Sequence, residues 1–598
     1  MKTLISLEKK ILLAVMLSVL VACVSNHDMK ENQEMSSNVS IKGQSEEIVE
    51  NEIKKESHHE LLNAAVLGET TADFDASVQI ASVPESLSSR KIKTARMNII
   101  GGMPSPMSIR QIAVTDRVIN YYQDHEREKY ASIDQSSVKQ AAINPVSTFS
   151  IDVDTGSYTN IRRMLTQGAL PPKNAVRIEE MINYFDYGYD APNEKSAPFS
   201  IHTELALSPW SKDHALLRIG LKGYEPAKQD RPASNLVFLL DVSGSMNSPD
   251  KLPLLKKSLI LLSKQLDSSD KVAIVVYAGA SGVVLEPTDG NQTFEIEQAL
   301  ENLSAGGSTN GQAGIQLAYQ LAKKCYDSAG INRVILATDG DFNVGTRDVD
   351  ALKELIERKK EEGISLTTLG FGTGNYNDHL MEQLADVGNG NYAYIDTFKE
   401  ARKVLVEELT ATLMTIAKDV KIQVEFNPRI VKEYRLIGYE NRALAREDFN
   451  NDKVDAGEVG AGHTVTALYE IVLQDSKGKR IAPLRYQNER SSEANNNDKI
   501  SNELAFIKFR YKGLNSSKSK LISRAINRTK RIASFEKASE DFRFSATVAH
   551  FGESLRDSKY VANMDYETMI QHALNSKGSD PFGYRSEFVQ MIRLASNL

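Results

Sequence analysis

The sequence predicts an α/β fold with a mostly parallel sheet in the middle of this 598-residue chain. Short apolar runs rich in β-branched residues alternate there with segments of helical length. Strands that are apolar along their whole length are typical of parallel sheets with helices on both faces. The runs are Leu236–Leu240, Val272–Val276, Val334–Ala337 and Leu366–Leu369, and the helical segments are Leu252–Leu266, Gly311–Lys324 and Val349–Glu361.

The regions on either side alternate apolar and polar residues, which is typical of antiparallel strands buried on one face. We expect these strands to form one sandwich-like domain into which the α/β domain is inserted. Insertion is tolerated because the ends of a domain often lie close together. Separate flanking domains are the alternative. The alternating segments are Phe199–Leu207, Ala215–Leu221, Val420–Phe426, Thr464–Leu473 and Leu504–Tyr511.

Helices are predicted at both ends of the folded part. Two of them precede the first strands, and the chain reads as helical from about Asn515 onwards. The predicted regions are 141–232 with helices and strands, 233–411 with the α/β domain, and 412–598, which is first β-rich and then helical. The individual helices are Asn160–Gln167, Val176–Phe185, Ser545–Arg556 and Asp565–Leu574.

Composition is that of an ordinary globular protein, with 41% hydrophobic and 25% charged residues. The formal net charge of −7 is small for this length, so no nucleic-acid partner is expected. The chain is too long for one core and is expected to hold two or three domains. It has only two cysteines, Cys23 and Cys325, so no disulfide framework is expected.

The first 22 residues read as a bacterial lipoprotein signal. A basic start precedes an apolar stretch over Ile11–Leu20, and Leu20-Val-Ala-Cys23 matches a lipobox. This stretch is well short of the roughly 20 apolar residues that span a bilayer. Cys23 is therefore the expected lipid attachment site, and polar, acidic residues 23–140 form a disordered tether. The expected location is the cell envelope, at the outer membrane, with the body facing the periplasm or the exterior.

Three segments with polar side chains are predicted to lie at one edge of the sheet. Asp241-Val-Ser243-Gly-Ser245 follows the first strand, Gly306-Gly-Ser-Thr309 precedes a helix, and Thr338-Asp339-Gly340 ends a third strand. Ligands in such sheets bind at the carboxyl ends of the strands. Carboxylates and hydroxyls are hard oxygen donors of the kind that suit Mg²⁺.

Together these segments resemble the metal-ion-dependent adhesion site of von Willebrand factor type A domains, which have a Rossmann-like fold. The resemblance implies direct metal contacts from the hydroxyls of Ser243, Ser245 and Thr309. It implies that Asp241 and Asp339 act mostly through bound water or as outer acceptors. Mg²⁺ is the expected ion, with Mn²⁺ or Ca²⁺ as alternatives. An Asp or Glu carboxylate from a protein partner would complete the coordination.

The similarity extends over about residues 144–598, where the chain resembles bacterial YfbK-like proteins. This resemblance implies an envelope lipoprotein with a von Willebrand factor type A module, and it implies no reaction. The segments that carry it are Asn144–Tyr158, Val176–Phe185, Thr464–Glu470, Lys508–Lys512 and Val548–Arg556.

We therefore expect a binding protein and not an enzyme. A scaffold in an envelope assembly, with a purely stabilising metal, is the alternative, and an uncharacterised hydrolase is a third reading. Asp154-Thr-Gly-Ser157 spells an aspartic-protease signature, but catalysis there needs a second such carboxylate. Asp152-Val-Asp154 resembles a dehalogenase-type nucleophile, without the expected strand order. We expect Asp154 and Ser157 to cap the following helix instead.

Overall fold

A two-sheet sandwich, interrupted by an α/β domain, makes up most of the described structure. The computed structural model describes residues 128–598 with several gaps. The predicted signal over 1–22, Cys23 and most of the predicted tether over 23–140 lie outside the described residues. The gaps are 152, 195–196, 228–229, 341, 343–348, 375, 483–501, 515 and 562–564.

Ordered structure begins before residue 140, the predicted end of the tether. Lys129 forms an isolated parallel bridge with Asn377, and its backbone N–H donates to the Tyr376 carbonyl at 3.0 Å. Glu128 is buried and pairs with the buried Arg163 at 2.8 Å. A charge-assisted contact of this kind orders a polar segment that composition alone assigned to a tether.

The amino-terminal region supplies three strands and two helices to the sandwich and its cover. The first helix begins four residues earlier than predicted, and its Ser157 N–H donates to the Glu180 carboxylate at 2.7 Å. Asp154 does not cap this helix, contrary to prediction, because its carboxylate accepts the Tyr392 N–H at 2.8 Å. The elements are β1 (Val146–Ser150), α1 (Gly156–Thr166), α2 (Ile178–Asn183), β2 (Phe199–Leu207) and β3 (Ala215–Gly223).

The α/β domain follows and contains a six-stranded sheet. Its strands are β4 (Ser234–Asp241), β5 (Lys271–Tyr277), β6 (Ser281–Asp289), β7 (Ile331–Thr338), β8 (Ser365–Phe371) and β9 (Tyr392–Ile395). Its helices are α3 (Leu252–Ser263), α4 (Thr293–Glu301), α5 (Gly311–Lys324), α6 (Val349–Glu361), α7 (Asp378–Val387), α8 (Phe398–Arg402) and α9 (Leu409–Leu413). The strand order is β9-β8-β7-β4-β5-β6, and every pairing is parallel except that of β5 with β6.

Helices cover both faces of this sheet. All eight residues of β4 are buried. Leu236, Phe238 and Leu240 pack into one core with α3, whereas Val237 and Leu239 pack into another with α5. Successive side chains of a strand point to opposite faces, so this alternation between two cores requires cover on both sides. The predicted α/β fold with a mostly parallel sheet is therefore confirmed.

The carboxyl-terminal region contributes the remaining strands and helices. The strands are β10 (Thr415–Phe426), β11 (Val431–Ile437), β12 (Thr464–Leu473), β13 (Glu503–Lys512) and β14 (Ser519–Asn527). The helices are α10 (Glu540–Leu555), α11 (Tyr566–Asn575) and α12 (Tyr584–Ala595).

Strands from both sides of the α/β domain share one sheet. Its order is β11-β12-β3-β2, with a two-residue strand over Lys139–Gln140 paired to the other side of β11, and β3 pairs antiparallel with β12. The second sheet runs β10-β13-β14, with β1 on the other side of β10 and a two-residue strand over Val459–Gly460 paired to the start of β10. Leu217 of the first sheet and Val424 and Phe509 of the second belong to one buried core. Because β3 precedes the α/β domain and β12 follows it, this domain is an insertion in the sandwich.

A layer of helices covers the outer face of the first sheet. Ala206, Leu216 and Leu468 of that sheet pack with residues of α1, α2, α10, α11 and α12 in a single core. The aromatic run that follows α2, including Tyr184 and Phe185, is buried in this core. Among the described residues, no helix is long and apolar enough to cross a membrane.

The prediction that the chain is helical from about Asn515 is wrong at its start. Ser519–Asn527 is strand β14, which pairs antiparallel with β13 over its whole length. It lies at the edge of the second sheet and most of its residues are exposed. Its basic, weakly apolar sequence lacks the alternation by which a buried strand is recognised, so only the pairing reveals it.

Candidate metal centre

Asp241 is the last residue of β4 and is fully buried. Its Oδ1 accepts the Ser243 N–H at 2.9 Å. Its Oδ2 accepts the hydroxyls of Tyr277 at 3.2 Å and Thr338 at 3.0 Å. Burial raises the pKa of Asp241, and the hydrogen bonds from Ser243 oppose that shift. Three strands thus fix the orientation of this carboxylate.

The two predicted serine ligands lie on the turn directly after Asp241. Ser243 is buried and Ser245 is exposed, and their Oγ atoms are 3.0 Å apart. A 3₁₀ turn over Gly244–Asn247 follows and leads towards α3. The hydroxyls are therefore adjacent at the carboxyl edge of the sheet, as the spacing predicted.

Two backbone hydrogen bonds hold the loop that carries Thr309 against this turn. Gly306 N–H donates to the Val242 carbonyl at 2.8 Å, and Gly244 N–H donates to the Gly307 carbonyl at 3.0 Å. Gly307 has φ of +84°, and a Cβ there would lie 3.2 Å from the Gly279 nitrogen. A glycine is needed because that backbone conformation is unfavourable for other residues. Thr309 follows two residues later and is half-buried.

Asp339 follows β7 and is buried beside a lysine. Its Oδ2 lies 2.8 Å from Lys251 Nζ, and the two side chains are 0% and 8% exposed. Gly340 has φ of +88°, and a Cβ there would lie 2.5 Å from the Asn377 nitrogen. The Asp339 carboxylate therefore lies at the same edge as Asp241 and carries an ammonium partner.

Lys251 is not among the residues that the sequence analysis assigned to the metal centre. It occupies the position just before α3, where the helix dipole disfavours a cation. A lysine at this unfavourable position was the one local sign that Lys251 has a carboxylate partner elsewhere in the chain. The loop over Ala278–Gly282 lies against the Thr309 loop, where a Cβ on Gly279 would meet Ser308 Oγ at 3.6 Å. In the loop that follows Asp339, residues 341 and 343–348 lie outside the described residues.

The donor set fits a hard divalent cation. It comprises two buried carboxylates and the hydroxyls of a Ser-Gly-Ser turn, with a threonine on the adjoining loop. Mg²⁺ prefers oxygen ligands and retains part of its water shell, so a site rich in neutral hydroxyls suits it. Within the described residues, no group of three or more His, Cys, Asp or Glu side chains is arranged to hold a metal. A metal at this edge would therefore depend on hydroxyl ligands.

The fold and this loop arrangement define a class of protein that the comparisons identify. A family model described as "von Willebrand factor type A domain" matches residues 235–408. One described as "von Willebrand factor" matches 124–218, and one described as "Uncharacterized protein YfbK, C-terminal" matches 411–598. The chain is therefore a protein with a von Willebrand factor type A domain.

The chain belongs to the YfbK family. Uncharacterized protein YfbK of Escherichia coli is 47% identical over 476 residues, which cover 79% of this chain and 81% of that protein. Uncharacterized protein sll0103 of Synechocystis sp. is 28% identical over 185 residues, covering 31% of this chain and 43% of that protein. A solved structure, von Willebrand factor type A from Catenulispora acidiphila, aligns with a TM-score of 0.36 at 14% identity, over 68% of this chain and 91% of that chain.

Proposed function

We propose that this protein binds a protein partner through a divalent metal held at the carboxyl edge of its α/β sheet. The observation that carries the proposal is the convergence of Asp241, Ser243 and Ser245 with the Thr309 loop and Asp339. Three segments far apart in sequence bring hard oxygen donors to one edge. The type A domain, matched over 235–408, supports an interaction role.

In this proposal, the hydroxyls of Ser243, Ser245 and Thr309 hold Mg²⁺, while Asp241 and Asp339 supply negative charge around it. Mn²⁺ or Ca²⁺ would suit the same oxygens. When bound, the metal supplies a Lewis-acidic position that attracts a carboxylate. The partner is therefore a protein that presents an Asp or Glu side chain.

One carboxylate contact is too small to define a specific complex. Stable interfaces bury about 1,200–2,000 Å² in total, so surfaces around the metal must contribute. The loops over 247–251 and 278–282 are the described candidates because they adjoin Ser245 and the Thr309 loop. Specificity would come from these loops, and metal dependence from the edge of the sheet.

The cellular setting is also a proposal. The signal over 1–22 and the lipobox ending at Cys23 support a lipid-anchored protein of the cell envelope, at the outer membrane. Incorporation of labelled palmitate tests this directly. We expect label in the wild-type protein and none in Cys23→Ala, and label that persists in the variant would contradict the anchor.

The interaction is tested by partner capture from native envelopes, with the full chain as bait. We expect capture in Mg²⁺, with loss in EDTA and in Asp241→Ala. Asp475→Ala is the matched control, because it removes an exposed carboxylate of the sandwich domain. Capture that survives both EDTA and Asp241→Ala would contradict the metal-mediated mechanism.

A second candidate is a scaffold whose metal only stabilises the loops. The observation that favours it is the buried ion pairing of α1 and α2 with the α/β domain, through Arg162 with Glu400 and Arg177 with Asp378. Such pairing fixes the domains together, as an assembly component requires. A drop in melting temperature in EDTA, with partner capture unchanged, would favour this candidate.

We assign no reaction to the site. The groups that surround Asp241 are hydroxyls, backbone amides and the ammonium of Lys251 beside Asp339. Nucleophilic catalysis by a serine ordinarily requires an adjacent general base such as histidine. None of the side chains that hydrogen-bond to Asp241 within the described residues is a histidine.

A further inference from the structure

Lys251 places a buried positive charge inside the candidate metal centre. Its Nζ lies 2.8 Å from Asp339 Oδ2, and neither side chain is more than 8% exposed. An ammonium removed from water is costly unless a carboxylate compensates it. Asp339 is that carboxylate, and it is also one of the two acidic groups expected around the metal.

The path of the Lys251 side chain is built into the fold. Its aliphatic stem crosses Gly372, where a Cβ would lie 2.3 Å from both Lys251 Cγ and Cε. Gly372 has φ of +72°, and its carbonyl accepts the Tyr394 hydroxyl at 2.5 Å. The backbone therefore leaves a groove for this stem, with its floor fixed by a buried tyrosine.

This geometry changes the charge of the site. The carboxylates of Asp241 and Asp339 together balance a divalent cation. Among the described charged groups of the site, Lys251 then adds one positive charge in a buried setting, where charges interact more strongly than in water. Asp250, the neighbouring carboxylate, is half-exposed and accepts a hydrogen bond from Ser248, so solvent screens it.

We infer that Lys251 couples the binding of metal and partner. In the absence of a partner, Lys251 weakens metal binding, because its ammonium repels the cation and pairs with the Asp339 carboxylate. One partner carboxylate restores neutrality, so metal and carboxylate bind together more tightly than either binds alone. The inference rests on the proposed function and adds to it: the site is selective for a singly charged carboxylate and holds metal firmly only with that ligand.

The test is calorimetric titration of Mg²⁺ into the full chain, with acetate as the carboxylate probe and acetamide as its neutral counterpart. In the wild type, we expect saturating acetate to tighten Mg²⁺ binding by about tenfold, within the usual range for coupled sites, and acetamide to leave it unchanged. By reciprocity, Mg²⁺ must tighten acetate binding by the same factor.

Lys251→Met removes the charge and keeps the length of the stem. We expect this variant to bind Mg²⁺ about tenfold more tightly than wild type without acetate, and to lose most of the acetate effect. Lys257→Met, on the helix that follows Lys251, is the matched control, since Lys257 is exposed, and it should behave as wild type. Melting curves in Mg²⁺ show that each variant is folded at the titration temperature.

The outcomes separate the two proposals. If the wild type binds Mg²⁺, and Lys251→Met binds it with the same affinity and the same acetate effect, the coupling is overturned. The proposed metal site would still stand. Weaker Mg²⁺ binding in Lys251→Met would also overturn it, because the lysine would then support the metal. No Mg²⁺ binding by any folded form, with or without acetate, would overturn the proposed function and the coupling together.

Discussion

Two buried charged regions of the α/β domain differ in how their carboxylates are satisfied. At the junction with the helical layer, Asp378 accepts hydrogen bonds from Arg177, Asn160 at 3.2 Å and Tyr392 at 2.6 Å. At the carboxyl edge, Asp241 and Asp339 have one described ammonium between them, on Lys251. The junction is organised to hold the domains together. The edge brings carboxylates and hydroxyls together, and we propose that these oxygens bind an added cation.

The largest effect is expected from breaking the junction. Arg177→Met leaves the carboxylates of Asp378 and Glu180 buried without their guanidinium, which should lower the free energy of unfolding by about 3–5 kcal/mol. Denaturant unfolding measures this loss, and Mg²⁺ affinity at the edge should not change. Lys173→Met is the control: Lys173 and its partner Asp557 are 63% and 83% exposed, so its removal should leave the stability nearly unchanged. Equal losses in both variants would contradict the comparison.

Glu458, near the buried Arg333 guanidinium, gives a pH-dependent effect. Burial raises the pKa of Glu458 to about 7, and its Oε1 has no hydrogen-bond partner among the described residues. The nearby Arg333 guanidinium is also buried, and its Nε has no partner within the same residues. Burial therefore favours the protonated form of the Glu458 carboxyl.

Because the folded-state pKa of Glu458 is raised, the folded protein holds this proton more tightly than the unfolded chain. The stabilisation is complete below the unfolded value, about 4.3, and is lost as pH rises through about 7, amounting to at most about 4 kcal/mol. Glu458→Gln should flatten the pH dependence of stability between these limits. Glu447→Gln, on the surface, should not. An unchanged profile in Glu458→Gln would show that this acid is ionised in the fold.

The smallest effect concerns the groove beneath Lys251. Gly372→Ala should destabilise the fold by about 1–2 kcal/mol because of its positive φ, and it should also displace the lysine stem. Mg²⁺ affinity should then rise, as in Lys251→Met. Gly374→Ala is the control: φ there is +104°, but a Cβ would meet nothing within 4 Å. If Mg²⁺ affinity rises similarly in Gly374→Ala, backbone strain and not the displacement of Lys251 is the cause of the higher affinity.

Four buried strands of the α/β domain, β4, β5, β7 and β8, were predicted because each contains a continuous apolar run, whereas the short buried strand β9 was not predicted. β6 was missed because it is the antiparallel edge strand: its apolar run, Val283-Val-Leu285, is only three residues long and partly exposed. β14 was wrongly predicted as helix for a related reason. Most side chains of this exposed edge strand face no core, so its sequence carries no alternation of apolar and polar residues. Pairing partners far away in sequence define both strands.

The parts of the candidate site that lie within one short segment were predictable, and contacts between distant segments were not. Asp241, Ser243 and Ser245 share one turn, so their proximity follows from spacing alone. Lys251 is different: its contact with Asp339, which is 88 positions further along the chain, depends on how the intervening chain folds and on the groove at Gly372. No local pattern specifies such a contact. Metal ligation by the five residues stays a prediction.

The most direct test of the central claim is anomalous X-ray diffraction from crystals of the protein grown with Mn²⁺. The account predicts one strong anomalous peak at the carboxyl edge of the sheet, with the Oγ atoms of Ser243 and Ser245 and the Oγ1 atom of Thr309 about 2.1 Å away. The same crystals grown with Asp241→Ala should lack the peak. A peak elsewhere, or none at this edge in the wild type, would contradict a metal centre built by Asp241, Ser243, Ser245, Thr309 and Asp339.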